Sequence, residues 1–272
     1  MTSEIETRVL RGPVGDIAAH LQGPLRGQVV VMSHSILSSS MMWEHQAKLL
    51  AKQGFRVVRL DTRGHGGSFS DTSTCTMDAL VDDIVVAMDA LDIAHAHYVG
   101  LSLGGMTGFG LGIRHADRLL SLCICDARAD APPAFAAPWD ERIAVAQKEG
   151  SCAPLASPTI ERWFGKAFVE SYPAIANRFL DTASKVQVAG FVACARAIQQ
   201  LNYLGDVGSI ALPLTMVVGR NDAQLPQAML ELQGLIPGSV LETIDGAGHL
   251  PNIDQQAAFD VALLRHFSRV AQ

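Results

Sequence analysis

Clustered basic residues are missing from this 272-residue sequence, and so is any apolar run long enough to cross a bilayer. Lys and Arg number 21 against 27 Asp and Glu, for a formal net charge of −6. A surface that neutralises phosphates needs grouped cations, so this balance argues against a nucleic-acid partner. A membrane span takes about 18–20 consecutive apolar residues, and none occurs, which argues against a membrane partner. The opening stretch, MTSEIETRVL, carries acids where a secretory leader would be basic and then apolar. Cysteine is scarce and odd in number: Cys75, Cys123, Cys125, Cys152 and Cys194. A disulfide framework or thiolate metal site is therefore not expected, and these residues read as small core side chains in a reducing compartment, the cytoplasm. No H-E-x-x-H-like spacing suggests a metal. No G-x-x-x-x-G-K-[ST] loop is present, and no G-x-G-x-x-G follows the first strand, so no nucleotide cofactor is implied. Internal repeats and low-complexity linkers are absent too.

What remains is an ordinary globular balance, 49% apolar and 18% charged. Short β-branched runs alternate with longer helical patterns, the signature of an α/β fold with a mostly parallel central sheet and helices on both faces. QVVVMS (28–33), FRVVRLD (55–61), AHYVGL (96–101) and RLLSLCICD (118–126) read as strands. Helices are expected over 39–54, 76–92 and the stretch LGGMTGFGLGIRHA. At Asp126 the alternation breaks, and residues 128–208 show helical periodicity and prolines without a convincing strand. It resumes with a strand at 213–219, a helix at 226–235, a strand near 239–244 and a last helix from about 254 to 270. The expected organisation is a core of residues 1–127 and 209–272 with a helical cap, 128–208, inserted between two of its strands.

Gly100-Leu101-Ser102-Leu103-Gly104 is a G-x-S-x-G motif with an apolar strand before it and a helix after it. Such an elbow lifts a serine hydroxyl above the sheet, and side chains at 100 or 104 would clash with the neighbouring strand or helix. A serine is a poor nucleophile unless a base takes its proton and a carboxylate orients that base. In this architecture the acid follows a later strand and the histidine follows the last one. Asp222 comes three residues after Gly219 at the end of a strand, and His249 lies in a Gly-Ala-Gly loop 27 residues further on. Asp245 and the region of Asp206 are the alternative carboxylates. His20, His45, His95, His97, His115 and His266 fall in elements or at helix ends and read as structural.

Acyl transfer also needs donors for an oxyanion. The N–H of Leu103 at the start of the nucleophile helix is one, and by position the N–H of Ile36 in the loop after QVVVMS is the other. His34 in that loop either holds the loop together or reaches substrate. The polar, glycine-rich DTRGHGGS (61–68) reads as a structural turn near the nucleophile strand.

The chain resembles the α/β-hydrolase superfamily along nearly its whole length, and within it the 3-oxoadipate enol-lactonase-like group. The resemblance is carried by RVVRLDTRGHGGS (56–68), AHYVGLSLGGMTG (96–108), WDERIAVAQKEG (139–150), TIERWFGKAF (159–168) and GAGHLPNIDQ (246–255). It implies a lactone or ester hydrolase that uses Ser102, His249 and Asp222 on a small molecule without a cofactor. The loop that reads like N-S-L-G-T-D in that group is here His34-Ser35-Ile36-Leu37-Ser38-Ser39, which leaves the particular substrate open. A carboxylate-bearing enol-lactone would need a cation, for which Arg142 stands as a candidate beside the reading of a solvated surface arginine. Trp139, Trp163, Phe164, Phe168 and Phe191 either line an apolar pocket or pack the cap onto the core.

Other readings fit the same residues: an N-acyl homoserine lactonase, a general carboxylesterase, a cofactor-free perhydrolase of the haloperoxidase kind, or a ligand receptor built on a hydrolase fold. An aspartate at the elbow would have pointed to dehalogenase or epoxide hydrolase chemistry, which Ser102 argues against.

Overall fold

The computed structural model describes residues 5–70 and 74–271. One eight-stranded sheet runs through it: β1 (Glu6–Arg11), β2 (Asp16–Gln22), β3 (Val29–Ser33), β4 (Arg56–Leu60), β5 (Ala96–Leu101), β6 (Leu119–Cys125), β7 (Leu214–Gly219) and β8 (Val240–Ile244). Their spatial order is β1-β2-β4-β3-β5-β6-β7-β8. Only the β1–β2 and β2–β4 pairs are antiparallel; the other five are parallel.

Burial explains why these segments became strands. Every residue of β5 and β7 is buried, so helices cover both faces and a continuous apolar run is what the position demands. The edges read differently. β1 exposes Glu6, Thr7, Val9 and Arg11, and β8 is mostly half-buried. The expected strands begin at residue 28 and omit both: β1 is a polar edge strand, and β2 (DIAAHLQ), though largely buried, is built round Ala18 and Ala19, which carry a weak strand signal.

The helices behave as their apolar spacing requires. Met77–Ala90 opens on Thr76, whose hydroxyl accepts the Ala79 N–H at 3.1 Å, and buries Leu80, Val81, Ile84, Ala87 and Met88 as one stripe. Residues 39–54 form a short 3-10 turn, Ser40–Trp43, before the helix Glu44–Lys52.

Between β6 and β7 the chain forms six helices, from Pro133–Ala136 to Val188–Gln199. The two chain passages that flank this insertion are tied together: Asp130 bridges Asn202, and the Tyr203 N–H donates to Ala129 O at 2.7 Å. The insertion also meets the sheet side directly, where Gln187 N donates to Gly64 O at 2.9 Å and Arg178 pairs with Glu44 at 2.5 Å.

DTRGHGGS is a structural turn. Asp61, 3% exposed, accepts from the N–H groups of Ser40 (2.7 Å) and Gly67 (2.8 Å), while Arg63 makes a buried ion pair with Asp83 at 2.7 Å. Burial pulls the Asp61 carboxyl upward, but His20 and these N–H donors outweigh it and hold it well below the usual range. A second polar network spans the opposite end of the sheet. His97, Ser121, His266 and Thr215 are linked in series at 2.8–2.9 Å. They sit near the amino ends of β5, β6 and β7, some five residues (about 16 Å) along β5 from Ser102. Burial pushes His97 down to about 4 and His266 to about 3, so both rings are neutral ties between strands.

Candidate active site

Ser102 follows β5 directly and opens the helix Leu103–Arg114 at φ 57°, ψ −115°, a left-handed conformation for a residue with a side chain. Such a backbone costs about 1–3 kcal/mol and persists only where its surroundings hold it. They do. The Ser102 N–H donates to Cys125 O at 2.9 Å, Gly104 N to His34 O at 3.1 Å, and the Tyr98 hydroxyl to Gly104 O at 2.8 Å. A Cβ at Gly100 would lie 2.2 Å from Gly104 O, and one at Gly104 would lie 2.5 Å from Ser33 O, so both positions of the motif exclude any larger residue.

Asp222 and His249 reach the same place from the ends of β7 and β8. His249 Nδ1 lies 2.6 Å from Asp222 Oδ2, with the ring donating and the carboxylate accepting, and both side chains are nearly buried. The two loops are sewn to each other by Asn221 N to Ala247 O (2.9 Å) and Arg220 N to Ile244 O (3.0 Å). The His249 loop is also fastened to the insertion, where the His249 N–H donates to Trp163 O at 2.9 Å and the two rings lie 6.1 Å apart. Asp254 accepts the Gly248 N–H at 2.6 Å and is pushed up to about 6 by burial. Asp245, the alternative carboxylate, is spent on a surface ion pair with Arg220, and Asp206 is exposed.

Ser102, Asp222 and His249 line one cavity of about 310 Å³. No hydrogen bond joins Ser102 to His249 among the described residues, an interaction that in unliganded sites is commonly loose. Because Nδ1 is held by Asp222, Nε2 is the free nitrogen of the ring. Ile36 also lines this cavity. The N–H groups of Ile36 and Leu103 have no partner among the described residues. The loop that carries Ile36 is buried throughout and pinned by Leu37 N to His65 Nε2 at 3.2 Å and Ser38 N to Ser35 O at 3.1 Å.

The role of His34 as a substrate contact is corrected by the structure. The ring is wholly buried, its Nδ1 donates to Ser35 O at 2.8 Å, and its Nε2 accepts the Thr62 N–H at 2.9 Å. Both nitrogens are committed, and burial lowers its pKa, so His34 is a neutral brace of the loop. Of the aromatics in the insertion, Trp139 and Trp163 line the cavity, while Phe164 stacks on Phe168 and meets Phe179 edge-on behind Trp163, and Phe191 packs on Trp139.

Arg142 lines the cavity with its guanidinium 4.7 Å from the Trp139 ring. Two further arginines line it that sequence reasoning missed. Arg128 is neutralised by Asp130 at 2.7 Å, but Arg162 makes no ion pair among the described residues, and neither does Arg142. Arg162 stands at the rim with part of the residue open to solvent. The protein packed round its guanidinium, and then the like charge of Arg142, push it down to about 10, which leaves it a cation at pH 7. The segment TIERWFGKAF held this signal, since Arg162 precedes a pocket tryptophan. Asp126, just after β6, is the acidic cavity residue that the sequence reading did not name as part of the site.

A mostly parallel eight-stranded sheet in this order, with its serine elbow after the fifth strand, is the architecture of the α/β hydrolases, and the alpha/beta hydrolase fold family matches residues 28–150. The chain is 30% identical to 3-oxoadipate enol-lactonase 1 of Acinetobacter baylyi over 94% of its own length and 95% of the relative's. A second enol-lactonase of that organism, 3-oxoadipate enol-lactonase 2, is 28% identical, with 86% of each chain covered. The crystal structure of the enol-lactonase from Burkholderia xenovorans LB400 superposes with a TM-score of 0.91 at 29% identity, covering 96% of this chain and 100% of that one. This chain belongs to the α/β-hydrolase family and, within it, to the 3-oxoadipate enol-lactonase-like group.

Proposed function

We propose that the protein is a serine hydrolase that opens a lactone or carboxylic ester through an acyl-enzyme. The observation that carries the reading is the 2.6 Å contact between Asp222 and His249 in the cavity that the strained Ser102 also lines. Asp222 holds the imidazole with Nδ1 protonated, so Nε2 takes the Ser102 proton as Oγ attacks the carbonyl carbon. The oxyanion rests on the N–H groups of Ile36 and Leu103, which have no competing partner among the described residues. Collapse breaks the C–O bond, and His249 returns the proton to the leaving oxygen. In a lactone that oxygen stays tethered to the acyl group. Water activated by His249 then attacks the ester of Ser102 and frees the acid.

Residues 128–208 act in this reading as a cap over a core of residues 1–127 and 209–272, with Trp139 and Trp163 supplying the apolar wall. Arg142 and Arg162 support a substrate that carries a free carboxylate. Two cations on one wall, neither in an ion pair among the described residues, repel each other, and an incoming anion relieves that repulsion. The named relatives act on such an enol-lactone. Five free thiols suit a cytoplasmic setting, and no helix among the described residues is long and apolar enough to cross a membrane.

The test is a rate panel with purified protein at pH 7–8: a carboxylate-bearing enol-lactone, a neutral γ-lactone, an N-acyl homoserine lactone and a short p-nitrophenyl ester, with Ser102→Ala as control. Turnover that favours the carboxylate-bearing lactone and vanishes in Ser102→Ala, together with fluorophosphonate labelling lost in the same variant, is the expected result. Labelling that survives the substitution would move the nucleophile elsewhere. Retention of a ligand without turnover would make the molecule a receptor.

A further inference from the structure

One acidic side chain in the cavity wall has no part in the chemistry above. Asp126 follows β6 and is wholly buried. Its Oδ1 accepts the Gly219 N–H at 2.8 Å, while its Oδ2, buried as well, receives no donor among the described residues. Its carboxyl group faces that of Asp222 across the cavity wall. One oxygen from each acid and one ring nitrogen of His249 lie within 4.8 Å of one another.

Two carboxyl groups with oxygens within 4.8 Å of each other, one of them wholly buried, do not both ionise, because the repulsion of like charges out of water exceeds what one N–H donor returns. One of them keeps its proton. Asp222 has the better claim to the charge, since it meets the His249 ring at 2.6 Å and is 13% exposed. Asp126 has one N–H and no solvent. Neighbouring charges agree with this assignment: Asp254 adds negative charge beside Asp126, and the Arg162 cation interacts with Asp222, while Arg128, which also lines the cavity, is paired with Asp130. A proton on Asp126 Oδ2 also supplies what that buried atom lacks, by turning an unpartnered acceptor into a donor.

We propose that Asp126 is a positioning residue, a neutral carboxyl group whose O–H donates to the Asp222 carboxylate, so that the two acids share one proton and hold a single negative charge behind His249. Burial first, and the charge of Asp222 second, push the Asp126 carboxyl well above its ordinary value, in line with this geometry. Asp222 is thereby gripped from both sides, by the imidazole N–H and by the Asp126 O–H, and its carboxylate plane is fixed without a second negative charge beside the base. The consequence for catalysis rests on the hydrolase reading; the shared proton does not.

The experiment compares wild type with Asp126→Asn and Asp126→Ala. An asparagine amide can accept from Gly219 and donate to Asp222, whereas alanine does neither. Difference infrared spectra of the unliganded protein near pH 7 should contain a protonated-carboxyl C=O band that both variants lose. In kcat, Asp126→Ala should lose about 10- to 100-fold, the scale of one hydrogen bond to a charged group, and Asp126→Asn should recover most of it. The acidic limb of kcat/KM for Asp126→Asn should overlie the wild type, because one neutral group replaces another. A wild type without the band, or an Asp126→Asn limb shifted to lower pH as when an anion is removed, would overturn the proposal. An asparagine variant as slow as the alanine one would do the same. A wild type with the band but no hydrolytic activity would count against the hydrolase reading and leave the shared proton standing.

Discussion

Replacing Gly219 by alanine tests how the loops that carry Asp222 and His249 are held. Gly219 ends β7, three residues before Asp222, and a Cβ there would lie 2.0 Å from Gly248 O and 2.7 Å from Ala247 O. Both obstacles are backbone atoms, so no rotamer change relieves them. The β7 and β8 loops would have to part by more than about 1 Å to reach an ordinary van der Waals distance. That movement separates Asp222 from His249, whose 2.6 Å contact depends on the two loops staying sewn together. A misplacement of about 1 Å at a catalytic group costs on the order of 10²-fold in rate. Overpacking of this kind costs about 3 kcal/mol, and for a chain of this length that is a fall of about 5 °C in Tm. The assay is kcat with an activated ester together with thermal unfolding by circular dichroism. Gly234→Ala is the control, since it lies in an exposed helical turn with nothing within 4 Å of the new methyl group. It should leave kcat alone and raise stability by up to about 1 kcal/mol. A Gly219→Ala protein with wild-type kcat and Tm would refute the idea that this backbone contact sets the alignment of Asp222 with His249 and that the proposed chemistry depends on it.

Two further outcomes are expected. Arg162→Gln should lower kcat/KM by about tenfold for a carboxylate-bearing lactone and change a neutral ester little, because a rim arginine is partly screened by solvent; equal losses on both substrates would remove Arg162 from carboxylate recognition. Asp254, pushed by burial from an ordinary 3.8 to about 6, binds more protons folded than unfolded between those pH values. Its contribution to stability is therefore full below pH 4 and is lost as pH rises through 6, an effect of about 3 kcal/mol at most. Asp254→Asn can still accept the Gly248 N–H and should flatten this slope. An unchanged difference in Tm between wild type and variant from pH 4 to pH 8 would show that Asp254 does not titrate in this way.

Much of the fold was legible because parallel sheets write themselves plainly into a sequence. β3, β5 and β7 are buried on both faces and need unbroken apolar runs, while the helices between them need a stripe every third or fourth residue. The two strands not expected, β1 and β2, form an antiparallel hairpin: β1 is an edge strand where polar residues are tolerated, and β2, though largely buried, has two alanines at its centre in place of β-branched residues. The same contrast runs through the site. Gly100, Ser102 and Gly104 are neighbours in sequence, and their spacing encodes a local turn that fold and environment then hold. Asp222 and His249 were found because their order along the chain follows from which strands end at the same edge.

Short-range pattern thus determined the strand–elbow–helix unit, the alternation of the sheet, the inserted helices and the order serine, aspartate, histidine. Only the tertiary structure decided what distant residues do to each other. His34 spends both ring nitrogens on backbone from its own loop and from Thr62, which no spacing announces. Arg162 joins Arg142 on one wall because two helices of the insertion converge over the cavity. Asp126 stands 96 positions before Asp222 and meets it because β6 and β7 are paired. The physical reason is one of range: propensity and periodicity act over a turn or a strand, whereas charge, burial and hydrogen-bond satisfaction act between any groups that packing brings together.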